Sequence, residues 1–221
     1  MATETLSFNT SGGETTAYVA VPEASNGKAV IVVQEWWGLN EHIKDIARRY
    51  SDEGFTAIAP DLYRGQVAAN PQEAGEMMQA LKTEDGIDII KNAMDVAREK
   101  YGFEHFGITG FCMGGTYSLR AACLLEGLSA AAPFYGDIPE EEVLKSLTAP
   151  TIFVSGMKDK WINAEKVGYL EEITEKYELP VTSVKYEADH AFFNDTRPEV
   201  YDETAARDAW ALVVGLFNDK L

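Results

Sequence analysis

Short apolar runs alternate with longer segments of helical spacing along nearly the whole chain. Residues 29–34 (AVIVVQ) and 106–111 (FGITGF) are almost continuously apolar, the mark of strands buried on both faces of a parallel sheet. Residues 15–21, 56–59, 130–135, 151–155 and 181–186 read as further strands, with Pro60 closing the second of these. Asn40 is placed to cap a helix running through Tyr50, and Ile87, Ile90, Ala93, Ala97 and Tyr101 fall at helical spacing within residues 85–101. Further helices are predicted over 114–125, 138–147, 163–177 and 201–218. This alternation predicts an α/β fold, a mainly parallel central sheet with helices on both faces, built as one domain over residues 1–221.

Composition narrows the function classes. With 46% hydrophobic and 25% charged residues the chain has the make-up of a folded protein rather than a disordered one. No apolar run approaches the roughly 20 residues of a membrane-spanning helix, and the amino terminus lacks the basic and apolar regions of a signal peptide. The expectation is a cytoplasmic protein with no membrane partner. A net charge of −17, from 36 acidic against 19 basic residues, argues against nucleic acid as a partner. Two cysteines, Cys112 and Cys123, are too few for a disulfide framework.

The chemistry begins at Gly110-Phe111-Cys112-Met113-Gly114-Gly115, where an apolar strand runs straight into a helical pattern. A sharp strand-to-helix turn that presents a nucleophile needs glycine on either side of it, and here cysteine stands at the centre. The turn aims the sulfur at a helix N-terminus, where the dipole favours a thiolate. In an open parallel sheet, active residues lie beyond the carboxyl ends of strands. That rule selects Glu35, Cys112, Asp159 and His190, each just past a predicted strand. Of the three histidines, His42 falls in a helix with an exposed or partly buried surface role, and His105 lies at the amino end of a strand, the wrong edge. His190 is therefore the candidate base. Asp159 is favoured as the orienting acid over Asp189, whose side chain is adjacent to His190 in sequence, and over Asp195, farther into the loop.

Taken together, Gln34-Glu35-Trp36-Trp37-Gly38-Leu39-Asn40, Ala59-Pro60-Asp61-Leu62-Tyr63, the Cys112 turn, Asp159 and Asp189-His190-Ala191-Phe192 resemble the dienelactone hydrolase family of the α/β-hydrolase superfamily, nearly end to end. The resemblance implies a Cys112-Asp159-His190 triad acting on a small-molecule ester or lactone through a thioester, with no metal and no organic cofactor. It also implies that Glu35 lies beside the thiol and takes up its proton when substrate arrives. The acyl-transfer template then assigns the oxyanion to the backbone N–H groups of Trp36 and Met113. Trp36, Tyr135 and Phe192 are the candidate substrate-binding side chains, and the assembly expected is a monomer or small homo-oligomer. One departure stands out: the family holds a substrate carboxylate with two arginines, one of them four residues after the histidine, where this chain has Asn194. Residues 66–81 contain no arginine either, and Arg64 and Arg197, the nearest replacements, read as surface ion-pair residues. Two other classes compete with a hydrolase: a redox-sensing or modified thiol protein, motivated by an exposed, acidic cysteine, and a binding module without catalysis.

Overall fold

The two continuous apolar runs lie side by side in the middle of one sheet. In the computed structural model, which describes residues 1–221, β3 (Ala29–Val33) pairs in parallel with β5 (Phe106–Phe111), Val33 opposite Gly110. Around them stand β1 (Ala2–Thr10), β2 (Gly13–Val21), β4 (Thr56–Pro60), β6 (Leu128–Phe134), β7 (Thr151–Gly156) and β8 (Val181–Tyr186). The spatial order is β1-β2-β4-β3-β5-β6-β7-β8, parallel from β4 to β8, with β1 and β2 forming an antiparallel hairpin at one edge. This is the α/β class that the alternation predicts.

Alternation along β3 explains why both faces are covered. Ala29, Ile31 and Val33 join one core, while Val30 and Val32 join the other, and all five are fully buried. Helices α3 (Thr83–Tyr101) and α4 (Met113–Leu124) cover the first core, together with α6 (Ala164–Tyr177) and the flank of α2 (Pro71–Ala80). The second is covered by α1 (Glu41–Asp52) and α7 (Glu203–Lys220). Asn40 caps α1 by accepting the N–H of Ile43, and the helix then buries Ile43, Ile46 and Tyr50 against the sheet. Each of those two isoleucines contributes on the order of 2 kcal/mol of burial free energy.

Three differences from the sequence expectations have local causes. Strand β1 was not predicted, because an edge strand with only Leu6 and Phe8 buried carries little apolar signal. Helix α2, capped by Asn70 with Pro71 in its first turn, buries only Ala74 and shows almost no periodicity to read. The predicted helix over 138–147 shrinks to α5 (Glu141–Leu144): Pro139 holds Ile138 out of the helical region, and the chain tightens after Lys145.

The connections create the site. From β3 the chain moves outward to β4 and then crosses back to β5 on the other side of β3, so the strand order reverses between β3 and β5. A crevice opens at the carboxyl ends of strands at such a reversal. Residues Glu35 and Cys112 emerge directly into it.

Candidate active site

Glycine at 110 and 114 is dictated by contact. A Cβ on Gly110 would lie 2.1 Å from the Gly114 carbonyl oxygen, and one on Gly114 would lie 2.3 Å from the carbonyl oxygen of Val33. These are backbone atoms that cannot swing aside, so the turn packs α4 directly against the ends of β5 and β3. Cys112 itself takes φ 55°, ψ −116° as the residue before α4. A side-chain-bearing residue held at that positive φ is strained by about 1–3 kcal/mol. Tyr135, at the end of β6, and Ala191, next to His190, also have positive φ, at 38° and 62°. Three of the five such non-glycine residues in the chain thus border this crevice.

Asp159 and His190 are brought together by the β7 and β8 ends. Gly156 allows the two loops to touch, since a Cβ there would meet the Ala188 carbonyl at 2.4 Å. Met157 and Lys158 donate their backbone N–H groups to Tyr186 and Ala188 across the junction. Asp159 Oδ1 accepts the N–H groups of Trp161 at 2.7 Å and Ile162 at 3.0 Å, which leaves Oδ2 for His190 Nδ1 at 2.6 Å. Burial alone raises the Asp159 pKa, but the His190 hydrogen bond and charge, with the two backbone donors, outweigh it and hold the carboxyl below its usual value. The other nitrogen of His190, Nε2, is buried and has no hydrogen-bond partner. Neither Asp189 nor Asp195 bonds to this ring; Asp195 pairs with Arg49 of α1 instead.

Cys112, His190 and Glu35 line one cavity of about 510 Å³, together with Trp36, Trp37, Trp161, Arg197 and Pro71. The backbone N–H groups of Met113 and Trp36 lie close enough to the Cys112 sulfur to pull its pKa down. Desolvation, and after it the neighbouring Glu35 carboxylate, push the thiol up to about 12, against the opposing pull of those two N–H groups. The acidic thiol expected from the helix dipole is therefore not present at rest: withdrawal from water and a nearby negative charge outweigh the helix N-terminus. With it goes the physical motive for reading the chain as a redox-sensing thiol protein.

Burial raises Glu35 to about 7, with the Asn194 amide and the Arg197 charge pulling the other way. In the unfolded chain the same group ionises near 4.5, so the folded state binds the extra proton between these values. Stability is thus full below about 4.5, declines as pH rises, and the loss is complete above about 7. Glu35→Gln is expected to remove this decline. In urea unfolding it should gain up to about 3 kcal/mol over the parent at about pH 8 and almost nothing at about pH 4. An equal change at both pH values would contradict the assignment.

Among the candidate substrate-binding side chains, only Trp36 lines the cavity. Phe192 is fully buried behind Tyr135 and Tyr186 in the second core, so its predicted place on the cavity wall is corrected to a supporting one. Tyr135 is also buried, its ring 5.1 Å from that of His190, and its hydroxyl has no partner. Trp161, 64% exposed, stands edge-on to the His190 ring at 4.8 Å and forms the rim. His42 is 5% exposed rather than at the surface, with neither ring nitrogen bonded. Arg64 is engaged by Asp85 away from this cavity, whereas Arg197 lies on its wall with Nε paired to Glu199. The sequence reading missed the Asn194 contact with Glu35, 2.8 Å long, because it joins residues 159 positions apart. No group of three or more His, Cys, Asp or Glu side chains is arranged to hold a metal ion, and no helix is long and apolar enough to cross a membrane.

Comparison with known proteins gives the family. The profile of the Dienelactone hydrolase family matches residues 15–221. A protein of Aquifex aeolicus named "Putative carboxymethylenebutenolidase" is 36% identical over 228 residues, covering 98% of each chain. "Protein usf" of Aquifex pyrophilus is similar to the same extent, 36% over 228 residues. Among solved structures, "Putative Dienelactone Hydrolase" from Klebsiella pneumoniae superposes with a TM-score of 0.88 at 30% identity, over 99% of both chains. The chain is a hydrolase acting on esters or lactones, and it belongs to the dienelactone hydrolase family.

Proposed function

We propose that the protein hydrolyses small carboxylic esters or lactones through a thioester on Cys112, with His190 as base and Asp159 as its orienting acid. The observation that carries this reading is the His190 ring: Asp159 holds Nδ1 at 2.6 Å, Nε2 is left without a partner, and the residue lines the same cavity as Cys112. A base held in one tautomer with its second nitrogen free is what acyl transfer requires.

The resting thiol is neutral, which protects it from oxidation until an ester occupies the cavity. Its proton then passes to Glu35 or to His190 Nε2 as sulfur attacks the carbonyl carbon. The carbonyl electron pair moves onto oxygen, where the N–H groups of Trp36 and Met113 stabilise it; one such donor is worth roughly 3 kcal/mol in the transition state. Collapse expels the alcohol or enolate, which takes up the transferred proton. Water, deprotonated by His190 Nε2, then attacks the thioester, breaks the carbon–sulfur bond and returns the thiol. Three tryptophans and a proline on the wall favour an apolar acyl or alcohol group.

The test is direct. Acid-quenched reaction with p-nitrophenyl acetate followed by peptide mass spectrometry is expected to place one acetyl group on the Cys112 peptide. Turnover with no acyl group there, or with the label on another side chain, would refute the thioester route.

A further inference from the structure

Asn194 is 2% exposed, and its side chain makes three hydrogen bonds. Oδ1 accepts the backbone N–H of Thr196 at 3.0 Å and the Thr196 hydroxyl at 2.6 Å. A backbone N–H can only donate, so this contact fixes which end of the amide is oxygen. The NH₂ group must then face Glu35, and Nδ2 donates to Oε2 at 2.8 Å. The backbone of Asn194 meanwhile donates to the carbonyl of Ala191, the residue after His190.

We propose that Asn194 is a positioning residue: its amide holds the Glu35 carboxyl group beside Cys112 and ties it to the loop that carries His190, so that the proton Glu35 exchanges is governed from position 194. The inference rests on the role given to Glu35 above. With Oε2 committed to Asn194, Oε1 is the oxygen available to the thiol. An amide suits this task because it donates without carrying charge. It favours the ionised carboxylate enough to keep a proton acceptor within reach at neutral pH, yet leaves that carboxylate able to be protonated. A cation in its place would lock the charge.

The ionisable groups facing Glu35 come from three places. The Cys112 thiol projects from the turn after β5, the Tyr135 hydroxyl from the end of β6, and the Arg197 guanidinium from the loop beyond Asn194. Burial pushes both the thiol and the phenol upward, so neither is charged near neutrality. Arg197 is the same in parent and variant, which leaves the amide as the quantity changed.

The experiment follows the infrared band of the protonated Glu35 carboxyl group against pH in the whole protein, assigned by its loss in Glu35→Gln. The parent midpoint is expected at about 7. In Asn194→Leu and in Asn194→Ala it should rise by about one pH unit, the effect of losing one hydrogen bond to a charged group. The two differ in volume, so that at least one retains the fold. A midpoint that stays in place or falls overturns the proposal, including the case where activity drops equally at every pH, as a merely structural role would cause. Ester turnover by the parent protein is measured alongside. If the midpoint rises while the parent hydrolyses no ester, the catalytic reading fails and the placement of Glu35 by Asn194 stands.

Discussion

Cys112→Ala is expected to lower kcat/KM for p-nitrophenyl acetate by at least about 10⁴-fold, the scale on which a nucleophile knocked out of a cooperating set is felt. The variant keeps the two N–H donors, the cavity and the His190–Asp159 pair. What it lacks is an atom able to form the covalent intermediate, and water would have to attack the bound ester without being held for it. Because the Cys112 side chain donates no hydrogen bond on which the fold depends, and alanine carries the same Cβ at the same positive φ, folding should change by less than about 1 kcal/mol. Circular dichroism and urea unfolding separate loss of chemistry from loss of structure. An alanine variant retaining more than about one hundredth of the parent activity would mean that another group attacks the ester.

How much of this was legible beforehand depends on whether the signal is local. The Cys112 turn was readable because its signal sits within five residues: at Gly110 and Gly114 backbone passes directly against backbone. The positions of Asp159 and His190 were readable because each follows a strand, and topology places the ends of parallel strands on one edge. What escaped was whatever depends on the sum of an environment. The sequence shows a cysteine before a helix, and the resemblance sets Glu35 against its thiolate, but neither shows that desolvation is the largest influence on the thiol. It shows Phe192 beside His190, but not that the chain turns at Ala191, with φ 62°, and sends the phenyl ring into the core. Arg197 read as an ordinary surface charge, and only the path of the loop after Asn194 brings it to the cavity wall. Strand β1 and helix α2 escaped for the opposite reason, since each buries too little to leave a pattern.

Asp159→Asn is expected to lower kcat/KM by about 10⁴-fold while leaving the site's geometry almost unchanged. The reason lies in the two backbone groups on the far side of the carboxylate. Trp161 and Ile162 both donate to Oδ1, at 2.7 and 3.0 Å, and an amide NH₂ placed there would face two N–H donors. The asparagine must therefore keep its oxygen toward residues 161 and 162 and turn its NH₂ toward His190 Nδ1. That nitrogen, a donor to the aspartate in the parent, becomes an acceptor, and the ring proton moves to Nε2. The nitrogen that should take a proton from the thiol or from water then already carries one. Asp159→Ala would confound this loss with a cavity and a freed ring, whereas the amide changes only the direction of one hydrogen bond. Nitrogen NMR of labelled histidine distinguishes the tautomers: the His190 proton is expected on Nδ1 in the parent and on Nε2 in the variant, with the fall in rate accompanying the switch. Full activity alongside the switched tautomer would mean that His190 is not the base, and the proton would have to travel through Glu35 alone.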